Sequence, residues 1–220
     1  MAISFPRAFP LNGCFTENCV FDLARSQARN PTGGGSPDVV EVGPALWVGE
    51  WATRTLSRSE LAEWDAWLAS LRGGLRLFKG RPNRHRWPLA YPRGFAGLEV
   101  DSEAFTGSGT LDTIGAGRDT VTIADLPAGF VLGIGDWFSI PVGSRQRLHK
   151  ILEGGTASGG GEVNLTVEPI IDPVVVTSGD PVPVLFDAPY CDMNLSEPAR
   201  VIRDPLRGGQ ISFKGQQVLI

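Results

Sequence analysis

The residues able to do chemistry are few and scattered. His85 sits in the arginine-rich run RPNRHR and His149 in the run RLHKI, and neither has a partner at metal-ligand spacing. There is no HExxH and no Cys/His cluster. Cys14, Cys19 and Cys191 are an odd set without CxxC spacing, which argues against a disulfide framework or a zinc knuckle. They read as reduced thiols of a protein folded in cytoplasm, although Cys14 and Cys19 are near enough to bridge a short loop. No GxSxG elbow, no GxxxxGK[ST] loop and no GxGxxG opening a helix occurs. The pairs Gly107/Gly109, Gly115/Gly117 and Gly133/Gly135 lie between strand-like runs and read as hairpin turns. The 24 acidic residues leave room for a glycosidase-like carboxylate pair, but no spacing selects one. The expectation is no enzyme, no catalytic residue, no cofactor and no metal.

The elements around these residues are mostly short strands. Gly (28) and Pro (17) are abundant in 220 residues, which favours turns and strands over helices. The exception is LSRSELAEWDAWLASLRGG, where a helix is expected at about 57–72. Ser57 and Glu60 form a capping box, and Leu56 and Leu61 a staple over it. Leu61, Trp64, Leu68 and Leu71 make one apolar stripe, and Gly73–Gly74 supply a left-handed stop. A lone amphipathic helix among strands must lie on a sheet. Net charge is −4, which disfavours a nucleic-acid grip built on phosphate neutralisation. MAISFPRAF lacks a basic region followed by an apolar run, so no signal peptide is expected. No apolar run approaches the roughly 20 residues that cross a bilayer, so no membrane insertion is expected.

Along the chain, Pro6 and Pro10 keep the first segment extended, Cys19–Gln27 reads as a strand, and Ala28–Asp38 as a flexible loop. VVEVG and ALWVGEWATRTL read as a hairpin split at Gly43–Pro44, with Trp47 and Trp51 on one face and Leu46 and Val48 on the other. Leu75–Gly80 is a further strand, and Arg81–Phe95 an irregular run that packs its rings. From Gly97 to about Pro189 helix signals stop, and short strands recur between Gly-rich turns. That pattern suits a small closed barrel of the OB type. From Tyr190 strand patterning returns, with a turn at Gly208–Gly209 and alternation through ISFKGQQVLI. These last strands have no place in a closed barrel, so they are expected to return to the first sheet. The fold class is mainly β. Its first domain, residues 1–95 plus 190–220, is a β-sandwich-like sheet with one helix, and an inserted OB-like barrel occupies 97–189. Trp64 reads as core. Trp47, Trp51 and Trp67 exceed what one small core holds and are expected at a subunit interface, where Trp is enriched.

Taken together, ISFPRAF, the long run from LARSQARNP to LRGGLRLF, LPAGFVLGIGDWFSI followed by RLHKI, and the closing GGQISFKGQQVLI resemble the distal tail proteins of long-tailed bacteriophages. The resemblance implies a structural virion protein of the tail tip, made in the host bacterial cytoplasm. It implies a first β domain with one helix, completed by C-terminal strands, that forms a homo-hexameric ring. The ring joins the tail tube protein to the baseplate hub protein and other tail-tip or receptor-binding proteins, and lets DNA pass. A second β domain, OB-like or galectin-like, projects outward. On this reading the acids Asp38, Glu41 and Glu50 are expected to face the lumen, where they keep DNA from sticking. The alternative is a carbohydrate-binding host-attachment module, which predicts an exposed aromatic shelf from Phe105, Phe130, Trp137 or Phe138.

Overall fold

In the computed structural model, residues 3–10, 15–16, 19–31, 37–83, 85–175, 181–204 and 208–219 are described. The chain is mainly β. It opens with β1 (Val20–Ala24), β2 (Gln27–Pro31), β3 (Pro37–Glu41) and β4 (Leu46–Ala52), then α1 (Arg58–Ser70) and β5 (Phe78–Gly80). A small ribbon, β6 (Glu99–Val100) and β7 (Glu103–Ala104), precedes β8 (Ser108–Ile114), β9 (Thr120–Ala124), β10 (Val131–Leu132) and β11 (Trp137–Val142). Next come β12 (Arg145–Glu153), β13 (Gly155–Thr156), β14 (Val163–Glu168) and β15 (Val182–Leu185). The chain ends with β16 (Cys191–Leu195), β17 (Arg200–Asp204) and β18 (Gly208–Gln217). No helix among the described residues is long and apolar enough to cross a membrane.

Two compact units result. Residues 1–78 and 193–218 form the first, and 79–192 with 219–220 the second. The chain therefore leaves the first unit at Phe78, earlier than the expected boundary near Gly97. The reason lies in the rings of 81–95. Tyr91 stacks on Phe130 with centroids 4.6 Å apart, and Phe95 packs edge-on against Phe105 at 5.2 Å. The Asp136 carboxylate, 1% exposed, accepts the Leu89 and Gly133 N–H groups at 2.7 Å each. Residues 79–96 are thereby tied into the barrel's core.

The main sheet of the first unit runs in the order β1-β4-β18-β16-β5, with β17 also paired to β18; β4 pairs antiparallel with β1 and β18, and β18 with β16 and β17. The C-terminal strand lies in the sheet's middle, with Phe213 opposite Trp51 and Gly215 opposite Gly49. The alternation through 211–217 is as the sequence predicts, with Ile211, Phe213, Gly215 and Gln217 buried. The helix begins at the predicted capping box: the Glu60 N–H donates to Ser57 Oγ, and the Ser57 N–H donates to Glu60 Oε2 at 2.7 Å. The Glu60 carboxyl is held down to a pKa of about 2 by the Arg54 guanidinium and the Ser57 donors. Leu61, Trp64, Trp67 and Leu71 are the buried side chains of the helix region, while Leu68 is half-buried.

Several local expectations need correction. VVEVG does not pair with β4. Instead β1 pairs β4, and β2 pairs β3 from Gln27↔Glu41 to Pro31↔Pro37, so residues expected to be a loop make a two-stranded arm. Val42 N–H donates to Ser26 O at 2.8 Å, continuing the ribbon between the two pairings. Gly208 and Gly209 are strand residues rather than a turn. A Cβ at either would lie 2.1 Å from a backbone carbonyl oxygen, of Leu56 and of Ile202 respectively, so glycine here permits close approach. Residues 205–207 lie outside the described residues.

The second unit contains a closed barrel in the order β11-β12-β14-β9-β8-β15, every neighbouring pair antiparallel. It has six strands where an OB barrel has about five. Its inward residues, among them Val121, Ile123, Phe138, Ile140, Leu165 and Val184, form one apolar cluster.

Candidate assembly surface

Alternation on β4 puts Trp47 and Trp51 together on one buried face, as the sequence predicts. Their fate there overturns the interface assignment. Trp47, Trp51 and Trp67 are 3%, 1% and 1% exposed and have no surface to offer a neighbour. Phe9 explains how one core holds so many rings. It lies within 6.2 Å of the rings of Trp51, Trp64, Trp67, Phe78, Phe213 and Phe15. Gly49 and Gly215, opposite one another, leave the floor on which Trp51 and Phe78 lie.

The expected aromatic shelf is corrected in the same way. Phe105, Phe130, Trp137 and Phe138 are buried, at 8%, 1%, 6% and 0% exposure. They are core residues of the second unit, because Phe130 and Phe138 both pack on Phe186 and Phe105 packs on Phe130.

What the first unit does expose is strand. β1 ends the sheet and pairs only with β4 among the described residues. Such an edge presents a row of N–H and C=O groups able to take up another strand. The β2–β3 arm continues it, exposed along residues 27–30 and 38–41. Register places Ala28 beside Val40 on one face. Val40 and Val42 are 51% and 67% exposed, and Val20 on β1 is 45% exposed. A two-stranded ribbon by itself is at best marginally stable in water. Sequence reasoning missed this arm, although the matched prolines Pro31 and Pro37 around TGGGS and the Val39–Val40 pair were its signal.

The three acids lie on exposed backbone of this unit, and two carry cations beside them. Arg25 Nη1 meets Glu41 Oε1 at 3.2 Å, and Lys214 Nζ lies 3.1 Å from Glu50 and 3.3 Å from Glu197. Both carboxylates raise the Lys214 pKa. Pairs this exposed add little to stability because water and salt screen them, but they reduce the anionic field that Glu41 and Glu50 project. Asp38 is exposed on β3.

The histidines are not brought together with a partner set for chemistry. His149 is buried and stacks on Phe138 at 5.3 Å, and its Nδ1 lies 2.7 Å from Pro169 O. Its Nε2 has no hydrogen-bond partner among the described residues, and burial lowers its pKa to about 4. His85 is half-buried near Trp137, with its pKa lowered by burial. A buried charge cluster is also present in the second unit, unmarked by any motif. Arg147 Nη2 is 3.5 Å from Asp172 and donates to Leu219 O, and Arg145 Nη1 is 3.9 Å from Asp192. Asp192 is 1% exposed and its pKa is raised by burial. Among the described residues no group of three or more His, Cys, Asp or Glu is placed to hold a metal ion. Cys19 and Cys191 are free thiols, and Cys14 lies outside the described residues.

Compared with known proteins, the chain matches no protein-family model and no curated sequence.

Proposed function

We propose that this chain is a structural subunit of a bacteriophage tail tip, a distal tail protein whose copies close a ring, six in number, around a DNA passage. The observation that carries the reading is the discontinuous first unit. Residues 1–78 and 193–218 share one sheet with a single helix on it, and β18, the last strand, lies between β4 and β16. This is the organisation that the resemblance of the sequence implies. In such a ring each interface is heterologous, one surface meeting a different surface of the next copy. The β1 edge and the β2–β3 arm are the closing elements, and their exposed valines are covered when the neighbour is in place. The tail tube protein and the baseplate hub protein are the axial partners, and DNA is in contact only in passage.

The test is the mass and shape of the purified chain, followed by its position in assembled tails. Native mass spectrometry should give six copies, and electron microscopy of tails should place the ring where the tube meets the tip. A chain that stays monomeric at high concentration and is missing from assembled tails overturns the proposal.

A further inference from the structure

The outer face of the barrel carries a cleft of about 380 Å³ lined by Thr113, Thr120, Thr122, Glu153, Asn164 and Thr166. Strand register arranges these six as two cross-strand rows. Thr113, Thr122 and Asn164 lie opposite one another on β8, β9 and β14, while Thr120, Thr166 and Glu153 do so on β9, β14 and β12. Two residues of strand, about 7 Å, separate the rows. The rows are internally ordered. Thr113 Oγ1 donates to Thr122 Oγ1, and Thr122 Oγ1 donates to Asn164 Oδ1, both at 2.7 Å. Thr166 Oγ1 donates to Glu153 Oε2 at 3.0 Å.

Two features separate this cleft from an ordinary polar sheet face. The register shifts between Leu111 and Thr113 and between Ile151 and Glu153 both fall at its walls. A bulge re-aims the side chain beside it, and here each brings its polar residue onto the same cleft. The hydrogen bonds within the rows also leave a complementary set for a ligand. The Asn164 amide retains both N–H donors, Glu153 retains Oε1 as acceptor, and the Thr120 hydroxyl does either.

The lining selects the ligand's chemistry. It holds one carboxylate and no cation, so phosphate and other anions are repelled. One carboxylate falls far short of the six to eight oxygens that calcium takes. Donors and acceptors alternating over a few ångströms, in a volume of ordinary ligand-site size, match adjacent hydroxyls that each donate and accept. We propose that this cleft binds a neutral saccharide unit, the amide donating to one ring hydroxyl and the Glu153 carboxylate accepting from its neighbour. The proposal stands whether or not the chain forms a ring.

The test uses the full chain on a printed array of neutral and acidic bacterial polysaccharides. Neutral members should bind. Asn164→Ala and Glu153→Gln should each weaken the strongest of them by about tenfold, with the melting temperature unchanged. Because a variant could perturb the barrel, amide resonances are also followed in the unaltered chain, where the bound saccharide should shift residues 120–122 and 164–166. Absence of any neutral binder, binding of acidic polysaccharides alone, or shifts confined to other strands overturns the proposal.

Discussion

Replacing Gly49 by alanine tests the account of how one small core holds four tryptophans. An added Cβ would lie 2.2, 2.6 and 2.7 Å from three carbons of the Trp51 ring, distances no real methyl occupies. The ring has little freedom to move. It is 1% exposed and meets Phe213 at 5.3 Å, Phe9 at 5.5 Å, Phe78 at 5.8 Å and Phe21 at 6.0 Å. Overpacking of this kind costs about 1–3 kcal/mol. At about 2–4 °C per kcal/mol for a chain of this size, the first unit's melting temperature should fall by about 2–12 °C. Thermal and urea unfolding followed by tryptophan fluorescence measure it. Gly159→Ala is the control, because a Cβ there meets nothing within 4 Å and stability should hold. Trp51→Leu removes the clashing ring, so the double variant should be less destabilised than the sum of the two singles, by about 1 kcal/mol or more. A Gly49→Ala protein that melts with the parent, or strictly additive costs, would refute the argument that the paired glycines seat these rings.

Two further outcomes are expected in the second unit. Asp136→Ala removes both acceptors that hold the Leu89 and Gly133 N–H groups, at about 3 kcal/mol for two bonds to a charged group. Hydrogen exchange at Leu89 should accelerate and proteases should cut within 81–95; an unaltered exchange pattern counts against the moved domain boundary. His149 makes barrel stability pH-dependent. Its pKa is about 4 in the fold against 6.5 for the free side chain, so the folded state binds fewer protons between those values. Stability is fully present above pH 6.5, falls as pH drops toward 4, and loses about 3 kcal/mol in all. The physical cause is burial: protonation would place a charge out of reach of water, and an N–H on Nε2 with no acceptor among the described residues. Unfolding measured from pH 7 to pH 4 should show this slope and His149→Gln should flatten it; equal slopes in both proteins exclude His149 as the source.

The local chemistry of the chain was legible without any structure. Ser57 and Glu60 specify a helix start because a capping box needs only residues three apart. Period-two alternation sorted Trp47 from Leu46 and Ile211 from Ser212 correctly, since adjacent side chains on a strand must point to opposite faces. The return of the C-terminal strands followed from counting strands against one closed barrel. What lies opposite a face is a different matter, because residues far apart in sequence supply it. Trp51 and Trp67 became core rather than interface because Phe9, Phe78 and Phe213 converge on them, and Trp47 because Phe21 stacks on it. Phe130 and Phe138 were buried by Tyr91 and Phe186 in the same way. The arm at Gln27–Glu41 and the cleft at Thr122 and Asn164 depend on register and bulges, which are set by pairing energies summed over whole strands and are written in no single residue.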